Sequence, residues 1–83
     1  MIYGLYSIRD AKTAFMPLTV DINDASACRN FEHAVRQPDS LLCSHSADYA
    51  LFRVGSFDSD TGVVTAFPVP RQLLDASACF KEV

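Results

Sequence analysis

Eighty-three residues, 49% of them hydrophobic, with a formal net charge of −3, make one small domain with enough apolar side chains for a core and too many for disorder. The acidic balance excludes a generic phosphate-binding surface, so any nucleic-acid contact has to be local. No apolar run approaches the roughly 20 residues of a membrane-spanning helix, so no membrane partner is expected.

The start, Met1-Ile2-Tyr3-Gly4-Leu5, lacks the basic flank and small-residue cleavage site of a signal peptide, and no secretion is expected. Residues 1–8 are rich in strand formers, and the polar stretch Arg9-Asp10-Ala11-Lys12-Thr13 interrupts them before residues 14–20 turn apolar and extended again. This predicts a hairpin with its turn near residues 10–13. Pro17 cannot donate to a ladder, so the second strand should be an edge strand or carry a bulge there.

Residues 21–38 read as the single long helix. Asn23 or Asp24 can cap it by accepting a backbone N–H, and with Asn23 as the cap, Ile22 can fold over Ala27 as a hydrophobic staple. Ala27, Phe31, Ala34 and Val35 recur at helical spacing as one apolar face. Pro38 ends the helix, because the residue before a proline is pushed out of the α region. Next come a single turn over residues 38–43, with Asp39 as its predicted cap, and a polar connection containing His45.

Residues 49–57 form the strongest strand pattern. Ala50, Phe52, Val54 and Ser56 point one way, and Tyr49, Leu51, Arg53 and Phe57 the other. Asp58-Ser59-Asp60-Thr61-Gly62 is turn chemistry, with Gly62 suited to a left-handed position. Residues 63–69 return as a strand, and Pro68 and Pro70 put its far end on an edge. Residues 71–83 read as a tail or a short helical turn. The sum is an α+β domain over residues 1–70: a four-stranded antiparallel ββαββ sheet, order 2-1-3-4, with one helix on one face.

One helix shields one side of such a sheet. If Ala50, Phe52 and Val54 face it, then Tyr49, Leu51 and Phe57 face outward, with Arg53, one of Tyr3 and Tyr6, and Phe67. Uncovered apolar surface of this kind marks an interaction site, and a homodimer through Tyr49, Leu51 and Phe57 is expected. The alternative is a cap from the C-terminal segment through Leu73, Leu74 and Phe80.

The residues carry little other chemistry. Asp58-x-Asp60-x-Gly62 resembles the start of a calcium loop, but Thr61 precedes the glycine and Val63-Val64 follow where ligands belong. Cys28, His33, Cys43, His45 and Cys79 fit no paired zinc spacing, and Cys28 and His33 lie about 140° apart around a helix. Three cysteines at irregular spacing argue for reduced thiols rather than a disulfide framework. No nucleophile elbow or glycine-rich phosphate loop occurs. The chain is therefore expected to be no enzyme and to take no metal or cofactor. Arg29, His33 and Arg36 line one side of the helix, either as a solvated face with a Glu32–Arg36 pair or as a phosphate-contacting stripe. Arg9 and Lys12 in the first turn would support that stripe, and Arg53 lies among the rings of the third strand.

Two segments together, Tyr6-Ser7-Ile8-Arg9-Asp10-Ala11-Lys12-Thr13-Ala14-Phe15-Met16 and Asp21-Ile22-Asn23-Asp24-Ala25-Ser26-Ala27-x-Arg29-Asn30-Phe31-Glu32-His33-Ala34-Val35, carry a family resemblance. With Asp39-Ser40-Leu41-Leu42, Ala47-Asp48-Tyr49 and Phe57-Asp58-Ser59-Asp60-Thr61-Gly62, they resemble the small non-structural protein of gokushoviruses, microviruses with circular single-stranded DNA genomes. The resemblance covers about residues 1–70. It implies a protein made in the cytoplasm of the infected bacterium, outside the virion, and associated with genome replication or packaging. Single-stranded DNA is then an expected partner, contacted through Arg9, Lys12, Arg29, His33, Arg36 and Arg53. A viral or host replication protein is another. The alternative is a protein-interaction module without nucleic-acid contact. No catalytic residues come with the resemblance.

Overall fold

Asn23 begins the helix. In the computed structural model, which describes residues 1–80, its side-chain oxygen accepts the backbone N–H of Ser26 at 2.8 Å, and α1 (Asp24–Val35) follows. The chain leaves helical geometry after Arg36, two residues ahead of Pro38. Ile22, expected to fold over Ala27, stays 55% exposed. The next turn, α2 (Leu41–Ser44), is capped by Ser40 rather than Asp39, because it is the Ser40 hydroxyl that accepts the Cys43 N–H at 3.1 Å. A 3₁₀ turn over Ser46–Asp48 then leads into the second hairpin.

Four strands form one antiparallel sheet in the order β2-β1-β3-β4: β1 (Ile2–Asp10), β2 (Thr19–Asp21), β3 (Tyr49–Asp58) and β4 (Val63–Asp75). The architecture and the strand order are those expected. The β3–β4 turn closes with Gly62 at φ 77°, a left-handed position that favours glycine, while its N–H reaches the Asp58 carbonyl at 2.7 Å.

Strand β2 is shorter than its sequence suggests, and Pro17 is the reason. Tyr6 pairs with Thr19 and Arg9 bridges to Phe15, so residues 16–18 oppose only Ser7 and Ile8. Pro17 sits in that bulge, where its missing N–H costs no ladder bond. Strand β4 is longer than expected. Arg53 pairs with Arg71 and Gly55 with Ala66, so residues 67–70 loop out of the ladder before pairing resumes. The segment from Arg71 is therefore strand as far as Asp75, followed by a 3₁₀ turn over Ala76–Phe80. Residues 81–83 of the expected tail lie outside the described residues.

The core lies between α1 and the sheet. Tyr6, Ala27, Phe31, Val35, Leu51, Ala76 and Cys79 are buried together, with Ile8, Tyr49, Leu73 and Leu74 packed against them. This reverses the expected faces of β3 over residues 49–53, whereas the register shift at Val54 leaves Ser56 and Phe57 on their expected sides. Tyr49 and Leu51 turn toward the helix, and Leu51 is only 3% exposed, so neither belongs to an outward self-association face. Period-two alternation separates the two sides of a strand without saying which side meets the helix. The larger apolar group, Leu51, and the charge on Arg53 both settle inward because α1 offers a hydrophobic stripe and an acid there. The C-terminal turn also packs on the helix side, through Ala76 and Cys79, and does not cap the opposite face.

Phe31 is 3% exposed at the centre of this core. Phe31→Ala should cost about 3–5 kcal/mol, the usual range for truncating a buried aromatic. Urea unfolding followed by circular dichroism checks it, and a midpoint unchanged from the parent would contradict the packing described.

Candidate functional site

Asp24, in the first turn of α1, gathers polar groups from three strands. Its Oδ1 accepts the Tyr6 hydroxyl at 2.8 Å and Arg53 Nη1 at 2.8 Å, and its Oδ2 accepts Arg71 Nη2 at 2.7 Å. Arg53 also donates to the Gly55 carbonyl and the Ser56 hydroxyl. Both guanidiniums approach the Phe67 ring, Arg53 at 5.4 Å and Arg71 at 5.6 Å from its centroid. Burial pushes the Asp24 carboxyl up, but hydrogen bonds from Tyr6 and Arg53 and the charges of both arginines outweigh it and hold the group below its ordinary value. Burial, reinforced by the hydrogen bond to Asp24, pushes the Tyr6 hydroxyl up to about 12. Tyr6 folds back over Gly4, where a Cβ would collide with its ring.

This cluster holds Arg53, whose side chain is 18% exposed and bonded to Asp24, Gly55 and Ser56, rather than leaving it on an open surface. Arg36 is similarly committed. Its Nε and Nη2 donate to the Cys79 carbonyl at 3.1 and 2.8 Å, and it pairs with Glu32 at 3.1 Å. Arg29 and His33 lie exposed on α1, with His33 beside Gln37. Arg9 lies on the other face of the sheet, and Lys12 lies in the turn that follows β1. The six expected cationic positions are thus not brought together. The pull of Asp24 on Arg53 and of the Cys79 carbonyl on Arg36 could not be read from helical spacing alone.

The sheet face opposite α1 carries the other feature. By register, Tyr3, Leu5, Ser7 and Arg9 of β1 share it with Phe57, Gly55, Phe52 and Ala50 of β3. Val20 of β2 and Val64, Ala66, Gln72 and Asp75 of β4 complete it. Two ring pairs stand on it: Phe15 edge-on to Phe52 with centroids 5.3 Å apart, and Tyr3 beside Phe57 at 6.5 Å. The Phe15 loop also lays the Met16 carbonyl on the Ser7 hydroxyl at 2.7 Å. Val20 and Val64 remain 57% and 62% exposed. Phe57 and Tyr3 are the residues of the expected outward set that this face keeps. Phe15, Val20 and Val64 were missed because loop and edge residues show no period against which to place them.

An open hollow of about 600 Å³ lies along the looped-out segment, lined by Phe67, Pro68, Val69, Pro70 and Arg71. A cleft of about 250 Å³ between β2 and α1, lined by Ile8, Val20, Phe31 and Leu51 among others, falls below the usual size of a ligand pocket. Among the described residues, no three His, Cys, Asp or Glu side chains converge on a metal-sized site, and no helix is long and apolar enough to cross a membrane. Burial raises the Cys28 and Cys79 thiols, which disfavours the reactive thiolate.

Because the folded pKa of Asp24 is depressed, its contribution to stability is present above the unfolded value of 3.8 and is lost as pH falls through the lower folded value. Asp24→Asn should cost about 1–2 kcal/mol at pH 7, a charged hydrogen-bond loss discounted for partial exposure. It should also flatten the acid limb of stability below about pH 4. Urea midpoints measured at pH 7 and across pH 4 to 2.5 check both effects.

A family model described as Phage ORF5 protein matches residues 3–79, from β1 almost to the end of the C-terminal turn. Comparisons with curated proteins and with solved structures found no match.

Proposed function

The chain belongs to the Phage ORF5 protein family, and from that premise we propose that it is a non-catalytic phage accessory protein that docks on another protein through the helix-free face of its sheet. Its setting is the cytoplasm of the infected bacterium, outside the virion, in a microvirus of the gokushovirus kind that its motifs resemble. The observation that carries this reading is the pairing of an exposed apolar sheet face with cations that are spent elsewhere. Val20 and Val64 are exposed on that face beside the half-buried Tyr3 and Phe57, whereas Arg36, Arg53 and Arg71 are bound to acceptors within the domain. Contiguous apolar surface is what protein interfaces bury at their centres, and depletion of free charge there is their mark.

A second reading, association with single-stranded DNA during replication or packaging, is favoured by one arrangement. Arg9 adjoins the Phe15–Phe52 pair on the same face, and rings beside a cation can stack unpaired bases. Titrating fluorescent oligothymidylate into the protein at low and moderate salt separates the two readings. The docking reading expects no saturable binding at low salt. Binding whose salt slope approaches ~0.7 per phosphate contact, and which Arg9→Ala weakens, would replace it with the nucleic-acid reading.

A further inference from the structure

We infer that the occupant of the helix-free face is a second copy of this chain, related by a two-fold axis along β3 that sets Arg9 of each copy over Asp75 of the other. The inference rests on the docking reading and names its partner.

Register supplies the argument. Across the sheet, Arg9 of β1, Ala50 of β3 and Asp75 of β4 form one row. Strands β1 and β4 flank β3 at equal spacing. A half-turn about β3 therefore exchanges the β1 and β4 positions between facing copies. Arg9 meets Asp75, Asp75 meets Arg9, and the small Ala50 lies on the axis. The same operation sets Tyr3 against Val64, because Tyr3–Phe57–Val64 is also a row. Apolar groups thus meet apolar groups, and the two opposite charges on the face meet each other twice. Asp75 Oδ1 is held by Gln72 Nε2 at 2.8 Å, which leaves Oδ2 for the arginine. An arginine and an aspartate together span the ~10 Å between packed sheets.

Size and shape suit a weak dimer. The axis along β3 overlaps β1, β3 and β4 and leaves β2 outside, so three strands about 4.8 Å apart and roughly 30 Å long give a footprint on the order of 400–450 Å² before side-chain relief. That is about half the ~800 Å² per partner of a standard interface, the size of a weak, concentration-dependent dimer. Aligned sheets keep their mean strand directions within about 30° of each other, which an axis along β3 satisfies.

Sedimentation equilibrium of the full chain at tens of micromolar tests it, with circular dichroism to show that each variant folds. The parent should sediment at twice 9.1 kDa. Arg9→Asp and Asp75→Arg, both at exposed positions, should each weaken the dimer at least about tenfold by placing like charges together. The double variant should recover most of the parent affinity. Val64→Glu should also dissociate it, whereas Arg29→Asp, an equal charge change on α1, should not. A monomeric parent, single charge variants that leave the dimer intact, or a double variant that fails to recover would each overturn the inference. Oligothymidylate titration of the same preparations separates the failures: a monomer that ignores DNA removes only the second copy, while a monomer that binds DNA removes the docking reading with it.

Discussion

The Asp24 carboxylate is the group on which the helix–sheet arrangement depends. Two oxygens at the start of α1 hold Tyr6 on β1, Arg53 on β3 and Arg71 on β4. Arg53 and Arg71 are direct register partners on neighbouring strands, and like charges opposite one another are destabilising unless something lies between them. Asp24 supplies the counter-charge and Phe67 a ring face for both guanidiniums. An acid in the first turn also complements the positive end of the helix dipole. One side chain thus serves the helix, the β3–β4 pairing and the placement of Tyr6 in the core.

The far end of α1 is tethered by a different means to similar effect. Arg36 donates twice to the Cys79 carbonyl, and Cys79 with Ala76 closes the core behind Val35. A carbonyl near the chain's end gains a cation that would otherwise be solvated, and the 3₁₀ turn is drawn against the helix. In a domain this small, where burial alone leaves a narrow margin of stability, the interior uses its arginines as structural ties. Of the three, only Arg53 is largely withdrawn from solvent, at 18% exposed; Arg36 and Arg71 keep more than half of their side chains exposed while holding their acceptors.

Much of this fold is legible in the residues. The Asn23 cap, the Ala27–Phe31–Val35 stripe, the Gly62 turn and the edge positions of Pro17 and Pro68 all follow from local chemistry, and with them the order β2-β1-β3-β4. The facing of β3 is not local. Tyr49, Leu51 and Arg53 alternate with Ala50, Phe52 and Val54, and both sets contain apolar groups, so the choice waits on what α1 presents. Asp24 was the available signal, an acid at a helix start with Arg53 and Arg71 both lacking nearby partners in sequence. The continuation of β4 past Pro70 was hidden for another reason. Prolines end a ladder only where their N–H groups are needed, and looping residues 67–70 out of register removes that need.

These irregularities also bear on how the molecule can associate. A sheet offers a partner its edges or its faces. The β2 edge is three residues long and runs into the Pro17 bulge. The β4 edge carries Pro68 and Pro70 within a segment already displaced from the ladder. Short, proline-bearing, bulged edges are how sheets discourage strand addition. The helix face is closed by α1 and the C-terminal turn. The remaining face exposes Val20 and Val64 around the half-buried Tyr3 and Phe57, with Leu5 and Ser7 already covered, and its charge is confined to the row that holds Arg9 and Asp75. With both edges blunted, any association would fall on that face, where a one-residue slip would break those rows. Binding there demands a partner that matches the spacing of a twisted sheet, and an identical sheet meets that demand by construction.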